Sequence, residues 1–258
     1  LRLYSYGGSP VAATHNAILR NTAVNDAGIT ILYLDATSTV TNNTILGNTN
    51  TGGTDLRTIY FNYNTWGSPV FNHNNITGNN GYALYNGNTQ DLPDINAINN
   101  WWGTSSSSEI SSLVYDWFDD TTRSIVDFSP YLSGHELDAP ISPPGGFTLA
   151  PTPSSFILNW SANSEVDHAG YKIYYDTDSK YPYVGTGADQ GDSPIDVGDV
   201  TNFTLTGLEQ GTRYYFAVTA YDTDTDGAED QKRNGGRFVG RVNELHKKRE
   251  QEQDGLGI

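Results

Sequence analysis

The chain has 258 residues, a formal net charge of −16, and neither Cys nor Met. Without Cys there is no disulfide framework and no thiolate metal site, and no apolar run approaches the roughly 18 residues of a membrane-spanning helix. The acidic balance repels phosphate backbones, which excludes nucleic acid as a partner class, and attracts divalent cations.

Tyr, Asn, Thr and Gly are abundant and Lys, Glu and Leu scarce before residue 231, a balance that favours strands joined by turns over helices. Leu1-Arg2-Leu3-Tyr4 already has strand character. With no Met at position 1, the chain is expected to be an excised or processed piece that begins within a repeat. Four segments then line up: His15-Asn16-Ala17-Ile18-Leu19-Arg20-Asn21, Asn42-Asn43-Thr44-Ile45-Leu46-Gly47-Asn48, His73-Asn74-Asn75-Ile76-Thr77-Gly78-Asn79 and Asn96-Ala97-Ile98-Asn99-Asn100. Their isoleucines are 27, 31 and 22 residues apart, and second strands fall between them at 28–34, 56–61 and 81–85. Variable coils with short strands suit a solenoid, in which each coil buries its inward side chains only by stacking on the next. Asn tolerates the left-handed backbone of a tight corner, and stacked Asn amides can hydrogen-bond from coil to coil.

These segments resemble the right-handed parallel β-helix family of pectate-lyase-like proteins over roughly residues 10–135. Asn100-Trp101-Trp102-Gly103, followed by Val126-Asp127-Phe128-Ser129-Pro130, resembles the ending of many bacterial right-handed β-helix repeat proteins. It makes sense as a cap: two Trp and a short amphipathic helix over 109–115 would cover the open apolar end. The resemblance implies an extracellular or cell-surface protein. Lyases of this family use carboxylates for calcium and Arg or Lys as base. Residues 1–135 contain no Lys and only Arg2, Arg20, Arg57 and Arg123, so no catalytic residue is assigned. His15 and His73 occupy equivalent repeat positions, which points to a corner role.

Residues 138–146 form a Pro/Gly linker. Alternating strands follow at 155–160, 170–175, 203–208 and 211–221, the spacing of a β-sandwich. Trp160, and Gly207-Leu208 with Gly211-Thr212 and Tyr214, resemble the B-strand Trp and the tyrosine corner of fibronectin type III domains. A delayed last strand is expected at 237–242. Half of the 14 basic residues crowd into 231–258, a charged terminus unlike the rest.

The expected architecture is therefore all-β: a right-handed parallel β-helix segment with its cap (1–137), the linker (138–146), a fibronectin type III-like sandwich (147–242) and a charged tail (243–258). Two candidate sites stand out. Asp222, Asp224 and Asp226 with Gly227 resemble the start of a calcium loop, since a hard cation takes several carboxylate oxygens and Gly permits the sharp turn. The twelfth position is Arg233, where such loops carry Glu. Tyr60, Tyr63, Trp66, Tyr82 and Tyr85 fall in neighbouring coils, and aromatic faces stack on sugars. The first functional expectation is a non-catalytic structural or adhesion module that meets polysaccharide or cell-envelope components. Two others stand beside it: the C-terminal part of a polysaccharide lyase or glycoside hydrolase with catalytic coils upstream, and a self-assembling fibre subunit.

Overall fold

The computed structural model describes residues 1–5, 9–34, 36–53, 56–62, 69–180 and 182–222, and the backbone of 243–244. Among the described residues it is all-β apart from one short helix, and it separates into two compact units, Leu1–Ser142 and a second beginning at Pro143.

The first unit is a parallel solenoid. Its first coil carries β1 (Arg2–Tyr4), β2 (Ala12–Thr14), β3 (Ala17–Leu19) and β4 (Thr22–Ala23). The second carries β5 (Ile29–Leu32), β6 (Thr39–Thr41), β7 (Thr44–Leu46) and β8 (Thr49–Asn50). The third has β9 (Arg57–Asn62), β10 (Val70–Asn72) and β11 (Asn75–Thr77); the fourth has β12 (Tyr82–Asn86) and β13 (Ile95–Asn96). The closing segment has helix α1 (Ser107–Leu113), β14 (Val114–Tyr115) and β15 (Val126–Asp127). Like strands stack in parallel: β1-β5-β9-β12-β14 on one face, then β2-β6-β10, β3-β7-β11, β4-β8 and β13-β15. Ile18, Ile45 and Ile76 are in register, as the repeat requires. They join Ile29, Ile31, Ile59, Phe61, Phe71 and Leu84 in one continuous core.

The corners are made by pairs of residues. His15, Asn42, His73 and Asn99 have positive φ (55°, 56°, 56° and 54°), and each precedes a ladder asparagine. The left-handed residue is therefore the one before the stacked Asn; the stacked Asn supplies hydrogen bonds. Asn16 Nδ2 donates to Asn43 Oδ1 (2.9 Å), Asn43 Nδ2 to Asn74 Oδ1 (2.9 Å), and Asn74 Nδ2 to Asn100 Oδ1 (2.9 Å). The same oxygens accept from the backbone N–H of Asn16, Asn43 and Asn74. A second row runs Asn21, Asn48, Asn79, after the positive-φ residues Arg20, Gly47 and Gly78. Buried carboxamides of this kind are tolerable only when fully bonded.

The fourth repeat differs from its sequence reading. Asn100 continues the ladder and Trp101 bridges Asn75 in parallel. This places Trp102, not Ile98, at the isoleucine column. Trp102 is 2% exposed and packs in the same core as Ile110 of α1. The corner geometry fixes the frame: the left-handed residue is Asn99, so the inward position comes three residues later.

After Leu132 the chain returns along the corner face as a strap. The His135 ring lies 5.7 Å from that of Trp101. Asn75 clasps the strap backbone in both directions, accepting from Glu136 N–H (2.7 Å) and donating to Glu136 O (3.0 Å). Glu136 Oε2 meets His73 Nδ1 at 2.5 Å. Further on, Asp138 takes a hydrogen bond from Asn42 Nδ2 and lies 3.5 Å from His15 Nε2, and Pro140 O accepts from Thr44 Oγ1. Ala139 and Ile141 are buried. Residues 138–141, expected as the start of a linker, thus lie along the coils. The side chains supply the reason: carboxylates at 136 and 138 face the corner row, and the apolar side chains at 139 and 141 are buried.

The second unit is a sandwich of antiparallel sheets. One holds β16 (Thr148–Pro151), β17 (Ser155–Asn159) and β20 (Asn202–Thr206); the other holds β19 (Ile195–Gly198), β18 (His168–Asp176), β21 (Arg213–Asp222) and β22 (Asn243–Glu244). Phe156, Leu158, Trp160, Tyr171, Ile173, Tyr175, Leu205, Phe216 and Val218 fill the space between. The buried Tyr214 hydroxyl accepts from Glu209 N–H (3.1 Å), which is the corner expected from the sequence. The strand expected at 237–242 lies outside the described residues. β22 pairs with Arg213 and Tyr214 from within the stretch expected as a charged tail.

Candidate functional site

The sheet β1-β5-β9-β12-β14 presents an outer face built by two-residue alternation. Ile29 and Ile31, Ile59 and Phe61, Leu84 and Val114 point into the core. Their neighbours Thr30, Tyr60, Tyr85 and Tyr115 are mutually in register and form an outward column. Successive strands in such a ladder are about 4.8 Å apart, so tyrosines on consecutive strands must pack on one another. Tyr85 and Tyr115 are stacked, with centroids 4.3 Å apart and planes at 5°. Tyr60 meets Tyr85 edge to face at 5.9 Å, and Tyr82 meets Tyr115 at 5.2 Å and Tyr85 at 6.1 Å. Each such aromatic pair contributes about 0.5–1.5 kcal/mol beyond the area it buries.

Charge sits at one side of this cluster. Arg57 pairs with Tyr82 across the strands. Its guanidinium lies 3.8 Å from the Tyr60 centroid and 5.2 Å from that of Tyr85. Arg57 Nε also meets Asp26 Oδ1 at 2.5 Å, and Thr30 Oγ1 donates to Asp26 Oδ2 (3.3 Å). The positive charge is thus held between a carboxylate and two ring faces. Tyr60, Tyr82 and Tyr115 are half-buried, whereas Tyr85 is 7% exposed and serves as the centre of the cluster.

Of the aromatic candidates, Tyr60, Tyr82 and Tyr85 come together here, while Tyr63 and Trp66 lie outside the described residues. Tyr115 was not foreseen, because 109–115 was expected to be helical throughout. The helix instead ends at Leu113, and Val114 extends as its C-cap. A signal was present in the dipeptides Ile59-Tyr60, Leu84-Tyr85 and Val114-Tyr115, each an aliphatic residue followed by Tyr.

The other candidates are less developed. Asp222 closes β21 opposite His168; Asp224 and Asp226 lie outside the described residues. No group of three His, Asp or Glu placed to hold a metal occurs among the described residues. His15 and His73 stand at left-handed corners, facing the strap carboxylates. Among the described residues no helix is long and apolar enough to cross a membrane.

Residues 142–235 match the fibronectin type III domain model, and the sandwich is such a domain. Among solved structures 24 chains match. One, a Fn3-like protein from Clostridium thermocellum, is 24% identical with a TM-score of 0.26, over 33% of this chain and 80% of that one. No curated protein matches the chain.

Proposed function

We propose that this chain is a secreted or cell-surface structural and adhesion module, non-catalytic in itself, whose outer tyrosine face meets polysaccharide or another cell-envelope component. The observation that carries the reading is the in-register column of Tyr60, Tyr85 and Tyr115 with Tyr82 and Arg57 beside it. Aromatic rings and a guanidinium on a rigid sheet are suited to a ligand with alternating apolar faces and hydroxyls. Their support is stiff, because buried asparagine rows and a continuous apolar core fix each coil on the next.

On the same reading residues 100–132 are a cap. Trp102 fills the column that a further coil would occupy, and α1 lays Ile110 over the end of the core. The fibronectin type III domain fits a spacer in an extracellular chain. A calcium ion held by Asp222, Asp224 and Asp226 belongs to this reading as a stabiliser of the acidic segment that starts at Asp222.

A glycan array probed with the intact chain, in calcium and in chelator, tests the proposal. Saturable binding that falls in Tyr60→Ala and Tyr82→Ala is expected. No binding in either condition would remove the adhesion role. Release of new reducing ends from a bound polysaccharide would remove the non-catalytic one.

A further inference from the structure

A cleft of about 610 Å³ opens at the closing end of the solenoid, lined by Ser107, Ser108 and Ser111 of α1, with Val114, Asp116, Phe118 and Phe128. Its volume falls within the roughly 300–1,000 Å³ of small-ligand sites. Phe118 is 76% exposed and Trp117 40%, and the two rings pack edge to face at 5.3 Å. Large aromatics are not normally left in water on a tight turn.

The turn is tight because Asp116 holds it. This carboxylate is 4% exposed, accepting from Phe118 N–H (3.0 Å) through Oδ1 and from Val126 N–H (2.9 Å) through Oδ2. Its carbonyl accepts from Asp119 and Asp120 N–H (3.0 and 2.9 Å). Phe118 is therefore presented at the rim by a rigid device. Across the cleft, Ser107 and Ser111 are one helical turn apart and share a face. Their hydroxyls make no hydrogen bond among the described residues.

We infer that this cleft is a binding site, separate from the tyrosine column, for one ring of an uncharged glycan. The ligand class follows from the walls. An aromatic rim takes the apolar face of a pyranose, and serine hydroxyls pair with its hydroxyls. A wholly apolar ligand would leave those serines without partners. The charge around the cleft rules against uronic acids: Asp116, Asp119 and Asp120 lie on the turn, no basic residue lines the cleft among the described residues, and Arg123 after the turn is already paired with Asp120 (3.1 Å). A carboxylated sugar would meet net negative charge there.

The test titrates the intact chain with cellotriose, xylotriose and mannotriose, with trigalacturonate as the charged counterpart, followed by tryptophan fluorescence. At least one neutral trisaccharide is expected to bind saturably. Phe118→Ala and the double variant Ser107→Ala/Ser111→Ala should each weaken it by roughly two- to tenfold; Val24→Ala, exposed and on neither face, should leave it unchanged. Both targets are exposed, so these variants fold. The inference is overturned if no neutral sugar saturates, if trigalacturonate binds as tightly, or if the cleft variants bind like the parent. Binding lost only in Tyr60→Ala and Tyr82→Ala would reject the cleft while keeping the column.

Discussion

Replacing Asn74 by alanine probes what holds one coil on the next. Asn74 is fully buried and stands in the middle of its row. Its Oδ1 accepts from Asn43 N–H (3.0 Å) and Asn43 Nδ2 (2.9 Å). Its Nδ2 donates to Val40 O (2.9 Å), Asn72 O (3.0 Å) and Asn100 Oδ1 (2.9 Å). Alanine leaves the Asn43 amide without a partner, since that N–H is aimed at the lost oxygen. The Asn43 side chain keeps Ala13 O and Thr41 O, and Asn100 Oδ1 keeps the Asn74 N–H. One orphaned buried donor costs about 1–3 kcal/mol, and two weakened carbonyl contacts add roughly 0.5–1.5 kcal/mol each, for a loss of about 2–6 kcal/mol. Asn16→Ala is the control, because Asn16 is half-exposed and no neighbour among the described residues depends on its Oδ1. Removing it deletes one donor to Asn43 Oδ1 and one to Thr14 O, worth about 1 kcal/mol. Two separate folding units make a single unfolding curve ambiguous. Hydrogen exchange by mass spectrometry across a urea series therefore suits the assay, with sandwich peptides as the internal standard. Equal destabilisation by the two variants, within about 0.5 kcal/mol, would refute the argument that buried rungs carry the stacking. Asn74→Asp keeps the oxygen but sets a carboxylate against three acceptors. It should be at least as damaging as alanine at neutral pH and partly relieved in acid, where the protonated form donates again.

Other outcomes follow from the same geometry. Asn75→Ala should release the strap, speeding exchange at residues 136–141, whereas Glu136→Ala, which removes the His73 contact and the long bond from Asp138 N–H (3.3 Å), should do so less; equal effects would refute the backbone clasp. Gly28→Ala should destabilise the solenoid by about 1–3 kcal/mol, since a Cβ there would lie 2.8 Å from Thr58 O and 2.7 Å from its methyl; urea unfolding at the parental midpoint would contradict the close approach of coils two and three. In the sandwich, Tyr214→Phe should cost about 1–2 kcal/mol by orphaning Glu209 N–H, measured by the same exchange series. Tyr175 has its phenol pushed above the ordinary value, first by burial and then by the charge of Asp192, against a bond from Ala188 N–H. The folded state thus favours the neutral phenol, so its stabilisation is whole below about pH 10 and lost as pH rises through the folded value. Tyr175→Phe should flatten that alkaline limb in a pH series of melting temperatures.

Much of this architecture was legible because two periods are written into the chain. Aliphatic residues alternate with polar or aromatic ones in the strands, and the Asn-flanked isoleucines recur from coil to coil. Trp160 and the Gly207-Leu208 to Tyr214 corner located the sandwich in the same direct way. The fourth repeat misled because Ile98 sits beside Asn99 and Asn100 and mimics the motif. Only the left-handed turn at Asn99 reveals that Trp102 holds the inward place. Tyr115 was hidden by a helix-like apolar spacing that ends two residues earlier than it suggests. The strap was invisible for another reason: its partners His73, Asn42 and His15 lie far back in the chain, and Pro-rich composition carries no record of what a segment leans on.

The asparagine rows have a direction. Every side-chain rung donates the same way, from Asn16 through Asn43 and Asn74 to Asn100, and from Asn21 through Asn48 to Asn79. Such a row is a string of aligned dipoles, each polarising the next, and its two ends are chemically unlike. At Asn100 the amide turns inward onto Phe71 O and Ala97 O, closing the series. At the other extreme the Asn16 oxygen takes no hydrogen bond among the described residues, and an added amide could donate to it. The stack is thus polar, with its amide donors aimed toward the Asn100 end and its carbonyl acceptors toward the Asn16 end, so that its two faces differ in the hydrogen-bonding group they present.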